Sequence, residues 1–313
     1  MSSAVQAQPA RRAIPANMIL VMVAGVLAIS SSAIFIRLAQ NEGIPSIVIA
    51  AVRLSLAALL LTPFVWARHA HTLRQLSRTD LGLALVAGFF LALHFITWVS
   101  SLEYTSVLIS VVFVTTGPIW VALFEVMLLR TRLPRIVGVG LLIAILGGAM
   151  IGLGGADSST TGSNDFLGAT LSLLGAITVS LYFIIGRKLR TGLSLLPYIW
   201  LVYSCAGVFL MLGVLFTGAS LVGYTSTGYL WLLALAIFPQ LVGHTSLNYA
   251  IAYLPATLVS MITQLEPIGS AFIALILFRE TPQIVQIVGS LVILAGVILA
   301  IRGQAQMNRQ NPA

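Results

Sequence analysis

The chain is 313 residues long, 59% hydrophobic and only 8% charged, with a formal net charge of +8 and a mean hydropathy of +1.04. Soluble domains carry about 25% charged residues, so this composition cannot build a water-facing surface, and the outer surface is expected to face lipid. The basic residues sit in short clusters between apolar runs, which reads as a topology signal and not as a nucleic-acid-binding face, and Cys205, the only cysteine, leaves no intramolecular disulfide and no Cys-based zinc site.

In chain order, a tail at 1–17 carries Arg11 and Arg12 and leads into an apolar stretch from Met18 to Leu38. A secretory signal core is only about 7–15 residues, so this stretch reads as the first retained span. A spanning helix needs about 20 apolar residues. Ten segments meet that length, at about 18–38, 46–66, 81–102, 105–128, 135–154, 166–187, 195–217, 228–250, 256–278 and 283–302, with a tail at 303–313. The connections are short, and the one long polar insert is Gly155–Asp165. The runs are too long and too uniformly apolar for barrel strands, and lipid excludes an open sheet. The expected fold is an all-α integral membrane protein of ten transmembrane helices.

Ten spans put both termini on one side. If that side is cytoplasmic, every Lys and Arg except Arg37, Arg53 and Arg279 falls in a cytoplasmic loop or tail, while the opposite loops hold Glu42, Glu103, Asp157, Asp165 and Glu280. The asymmetry points to an inner (plasma) membrane protein with both termini cytoplasmic.

Sliding the chain on itself by 149 residues gives an ungapped match. Tyr104 meets Tyr253, Pro118 meets Pro267, Arg130 meets Arg279, and Gly140 and Gly147 meet Gly289 and Gly296. The offset lays spans 4 and 5 on spans 9 and 10, so each repeat, 18–154 and 166–302, holds five spans. An odd number makes the second copy enter the membrane from the other side. Inverted repeats recur in secondary transporters, with the substrate near the midplane between the halves.

Several segments carry a resemblance. They are Thr116-Gly-Pro-Ile-Trp-Val-Ala-Leu-Phe-Glu125, Glu266-Pro-Ile-Gly-Ser-Ala271, Arg279-Glu-Thr-Pro282, the Gly289…Gly296 span, and Arg53 in span 2. In these the chain resembles the drug/metabolite transporter superfamily, in its ten-helix EamA-type branch, over nearly its whole length. It departs where the family often has an acidic residue after span 4, since Thr131 stands there between Arg130 and Arg132. Within the branch it is similar to exporters of aromatic and other neutral amino acids.

Polar groups inside a membrane are costly and point to function. His94 and Trp98 lie four apart on one face of span 3, and Ser101 extends that face. His244 and Asn248 repeat the spacing in span 8. Gln264 and Glu266 precede Pro267 in span 9, as Thr115 and Thr116 precede Pro118 in span 4. A proline frees a carbonyl four residues back and can kink the helix, so Pro118, Pro267 and Glu266 are candidates for gating or coupling. Glu266 suits an amino group, a proton or a buried base. Glu125, nearer the cytoplasmic end of span 4, is expected to reach an arginine. Tyr182, Phe35 and Ser31 are further candidate lining residues. Arg53 reads first as a structural anchor and second as a substrate ligand.

No Walker loop is present, so no ATP motor. His69 and His71 lack the spacing and carboxylates of a metal site, and no nucleophile, base and orienter come together. No cofactor is expected, and the partners are a small-molecule substrate and the bilayer, with the chain acting as a monomer. The leading reading is an alternating-access exporter of aromatic or other neutral amino acids. Alternatives are an exporter of another small organic solute, such as a drug-like molecule or nucleoside, a passive channel-like facilitator and, distantly, an intramembrane enzyme.

Overall fold

The computed structural model describes residues 14–105, 110, 113–130, 133–154, 164–278 and 284–310. Arg11, Arg12, Thr131, Arg132, Asp157 and the Arg279–Pro282 segment lie outside the described residues, as does most of the 155–165 loop. Every described element is helical.

The first apolar run forms α1 (Met18–Ser30) and α2 (Ser32–Asn41), which meet at Ser31. The hydroxyls of Ser30 and Ser31 bond back to the carbonyls of Val26 and Ala28, at 2.7 and 2.8 Å, the local competition that bends helices. Pro45 opens α3 (Ser46–Arg74), and Ser77 caps α4 (Arg78–Tyr104) by accepting from the Asp80 amide at 3.0 Å. Next come α5 (Gly117–Leu129), α6 (Arg135–Gly154) and α7 (Asp165–Gly192), the last capped by Asn164. α8 (Leu195–Thr217) stops at Gly218, whose φ of +67° suits glycine.

The run after Thr225 is not a plain helix. α9 (Ser226–Leu235) passes into a π-helical segment, Ala236–His244, around Pro239, and α10 (Thr245–Ala250) follows. α11 (Ala256–Ile262), a 3₁₀ turn (Thr263–Leu265), α12 (Glu266–Phe278) and α13 (Ile284–Gln310) complete the chain.

Among the described residues, six helices are long and apolar enough to cross a membrane: Met18–Asn41, Ser46–Arg74, Arg78–Tyr104, Phe166–Gly192, Leu195–Thr217 and Ser226–Ala250. Shorter apolar helices are Gly117–Leu128, Arg135–Met150 and Ile287–Gly303. The expected fourth and ninth spans are interrupted, by a turn at Thr115–Thr116 and by the 3₁₀ turn, each ending two residues before its proline. α3 runs on past its apolar part to Arg74, and α13 to Gln310, because polar and basic ends remain good helix formers in water.

Large side chains such as Ile19, Leu215 and Phe216 are 79%, 76% and 89% exposed, a surface that suits lipid and not water. Inside, α4 packs on α7, α3 on α8, and α6 on α13. The α6–α13 contact is backbone to backbone. A β-carbon on Gly140 would meet the Gly296 carbonyl at 2.6 Å, and one on Gly147 would meet the Gly289 carbonyl at 2.7 Å. A shift of 149 residues exchanges these two contacts. The π segment also comes close to α1, since a β-carbon on Gly243 would meet Ile29 N at 3.1 Å and Gly25 O at 3.4 Å. Gln264 donates to the Thr115 carbonyl at 2.8 Å, joining two residues 149 apart.

Candidate functional site

Where these elements converge lies a cavity of about 60 Å³. That is room for a few waters and far below the roughly 300–1,000 Å³ of open ligand pockets. Its polar wall is Ser32, His94, Thr115, His244, Thr263 and Glu266, and Trp98 and Phe183 supply aromatic surface.

α4 positions the aromatic side. His94 and Trp98, one turn apart, stack with centroids 5.8 Å apart and an interplanar angle of 13°. The His94 Nδ1–H donates to the Gly175 carbonyl at 2.9 Å, so in the neutral ring Nε2 is left as an acceptor. The Trp98 Nε1–H is buried and has no partner. The π segment brings His244 across from this face, 6.3 Å from His94 and 5.2 Å from Phe95 between ring centroids. π segments often mark functional sites because the extra residue re-aims side chains. Glu266 closes the wall at the first turn of α12, directly after the 3₁₀ turn.

Behind Ser32 sits Arg53, fully buried in α3. Its Nε donates to Gln240 Oε1 at 2.8 Å and its Nη1 to Ser32 Oγ at 2.8 Å. Its guanidinium lies 4.3 Å over the Phe95 ring. This one side chain ties α3 to α2, to α4 and to the π segment.

Of the candidate residues, the structure thus brings His94, Trp98, Thr115, His244 and Glu266 onto one cavity. Gln264 lies beside it, bonded to Thr115. Pro118 and Pro267 stand at the openings of α5 and α12. Tyr182 and Asn248 belong to a different cluster. The Tyr182 hydroxyl donates to Asn248 Oδ1 at 2.5 Å, and Asn248 Nδ2 donates to the Tyr203 hydroxyl at 3.2 Å. That cluster stitches α7, α8 and α10 together. Phe35 stacks on Trp231 at 5.7 Å, away from the cavity. Ser31 bonds its own helix, and Ser32 faces the cavity in its place. Sequence reasoning missed Ser32 and Gln240; the signal for Gln240 was Pro239 beside it in an otherwise apolar run.

Glu125, 2% exposed, forms an ion pair with Arg187 and accepts the Ala256 amide at 3.0 Å, the Thr257 amide at 3.2 Å and the Thr257 hydroxyl. It reaches the expected arginine, and it also caps α11.

Comparison with known proteins agrees with this architecture. One solved crystal structure superposes with a TM-score of 0.75, covering 94% of this chain and 99% of that one at 15% identity, which speaks to the fold alone. The chain is similar to the uncharacterized transporters YxxF and YetK of Bacillus subtilis (strain 168). It is 25% identical to the first over 86% of this chain and 86% of that one, and 21% identical to the second over 90% and 86%. An uncharacterized transporter of Clostridium kluyveri is 23% identical over 75% of this chain and 76% of that one. The sequence pattern of the EamA-like transporter family matches twice, at residues 16–153 and again at 166–302. With both copies together spanning most of the chain, the protein belongs to the EamA-like transporter family.

Proposed function

We propose that this transporter exports small, partly apolar metabolites, with aromatic or other neutral amino acids first, by alternating access between two inverted five-span halves. Both termini lie on the cytoplasmic side of the inner membrane, and the monomer is the working unit. The observation that carries the reading is the central cavity, which takes His94, Trp98 and Thr115 from the first half and His244 and Glu266 from the second. An aromatic wall on one side and a carboxylate on the other suit a side chain and an ammonium group on one ligand.

Inversion is supported by the doubled family match and by the contacts that exchange under the 149-residue shift. The small cavity volume fits a closed conformation that must open to admit an amino acid. The helix breaks before Pro118 and Pro267, and the π segment around Pro239, provide bending points beside the cavity.

The test is uptake of a panel of radiolabelled amino acids into reconstituted liposomes, with and without an imposed proton gradient. Saturable flux of aromatic or neutral members is expected. Conductance without saturation would favour a channel, and product turnover in detergent an enzyme.

A further inference from the structure

Arg53 presents a charge problem. An arginine stays ionised at any ordinary pH, and a charge at membrane depth is expensive unless something compensates it. Arg53 is 0% exposed. Its two acceptors, Gln240 and Ser32, are neutral, and its third nitrogen, Nη2, is buried with no partner. Among the described residues the only ion pair is that of Arg187 with Glu125. Glu266 lines the cavity and forms no ion pair with Arg53.

The neighbours sharpen the imbalance. Trp98 Nε1 is also a buried donor without an acceptor. One unmet donor, at Trp98, is on the cavity wall, and another, on the formal cation Arg53, lies directly behind the wall residue Ser32. Unmet buried donors are costly, and each calls for an acceptor. The gap matches an acceptor-rich anion, and Arg's planar fork matches a carboxylate in shape. Across the cavity stands the carboxyl group of Glu266, a partner for an ammonium group, so a molecule with both a carboxylate and an ammonium group complements both walls.

We propose that Arg53 is the receptor for the substrate's carboxylate, reached past Ser32 when the cavity widens, with Trp98 Nε1 as the second donor. The assignment rests on the amino-acid reading above and deepens it. It makes a buried residue of the second span, and not only the His94–Trp98 face, decide which solutes are carried.

The experiment is equilibrium binding to purified full-length protein at about pH 6, where the α-amino groups of all amine probes are charged. The probes are L-phenylalanine, L-phenylalaninamide, which lacks the carboxylate, and 3-phenylpropionate, which lacks the amine. Wild type is expected to bind the amino acid about 10-fold or more tightly than its amide, the scale of one charged hydrogen bond. In Arg53→Gln the amino acid is expected to weaken by about the same factor while the amide changes little, so discrimination disappears. Equal binding of acid and amide by wild type, or discrimination that survives in Arg53→Gln, overturns the assignment. If the variant fails to fold, Trp98→Phe, which removes the second donor and keeps an aromatic ring, takes its place, and discrimination unchanged there overturns the assignment. Binding of 3-phenylpropionate without L-phenylalanine would sink the amino-acid reading and leave Arg53 in its role. L-phenylalanine bound no better than its amide would do the reverse. Binding of neither acid overturns both.

Discussion

Glu125 offers a perturbation whose size follows from the contacts around it. Its carboxylate accepts two backbone amides and a hydroxyl at the start of α11 and pairs with Arg187. Glu125→Ala strands those donors in a buried site. Each buried unsatisfied donor costs about 1–3 kcal/mol, and three are stranded at the start of α11, whereas the partly exposed Arg187 can turn to water. We expect a loss of about 3–5 kcal/mol. Arg187 is different, because its side chain is 33% exposed. Arg187→Ala leaves the buried Glu125 carboxylate its amide and hydroxyl donors at the start of α11, so that loss is expected to be smaller, about 1–2 kcal/mol. Glu125→Gln keeps one acceptor and should fall between the two. The assay is unfolding of the purified protein in SDS, followed by far-ultraviolet circular dichroism. Equal costs for Glu125→Ala and Arg187→Ala would refute the reasoning, since the ion pair and not the cap would then carry the energy.

The α6–α13 contact gives a second expectation. Gly147→Leu must push against the Gly289 carbonyl and Ile293 and should cost about 1–3 kcal/mol, whereas Gly138→Leu, with nothing within 4 Å, should be close to neutral in the same titration. Tyr182→Phe loses one buried hydrogen bond to Asn248 and should cost about 1 kcal/mol, yet leave transport within a few-fold of wild type; a collapse of transport at full stability would place Tyr182 in the substrate path. His94→Ala and Trp98→Ala should each lower liposome uptake about 10-fold or more without changing helical content. Unchanged uptake in both would remove them from the site.

Much of this arrangement is readable in the sequence because lipid makes hydropathy and spacing strict. The four-residue step from His94 to Trp98 sets the stack, and the 149-residue shift anticipates the paired glycines of α6 and α13. The same spacing fails for His244 and Asn248. One helical turn, about 5.4 Å along the axis, carries Asn248 past the cavity to the tyrosines. Phe35 fails for a related reason, since the break at Ser31 leaves Ser32 facing inward and sends Phe35 to Trp231. Arg53 could be seen in the sequence, but its surroundings could not. Its partners are 21 and 187 residues away, and the π segment that presents Gln240 has no periodic signature in an apolar run.

If solute binds between the two halves and is carried by an exchange of access, the protein will support counterflow. Liposomes holding the protein are loaded with unlabelled L-phenylalanine and diluted into a trace of labelled L-phenylalanine. Label is expected to accumulate transiently above its equilibrium level, and this overshoot to vanish when His94 and Trp98 are both replaced by alanine. Label that only equilibrates without overshoot, or an overshoot untouched by the double replacement, would contradict that mechanism.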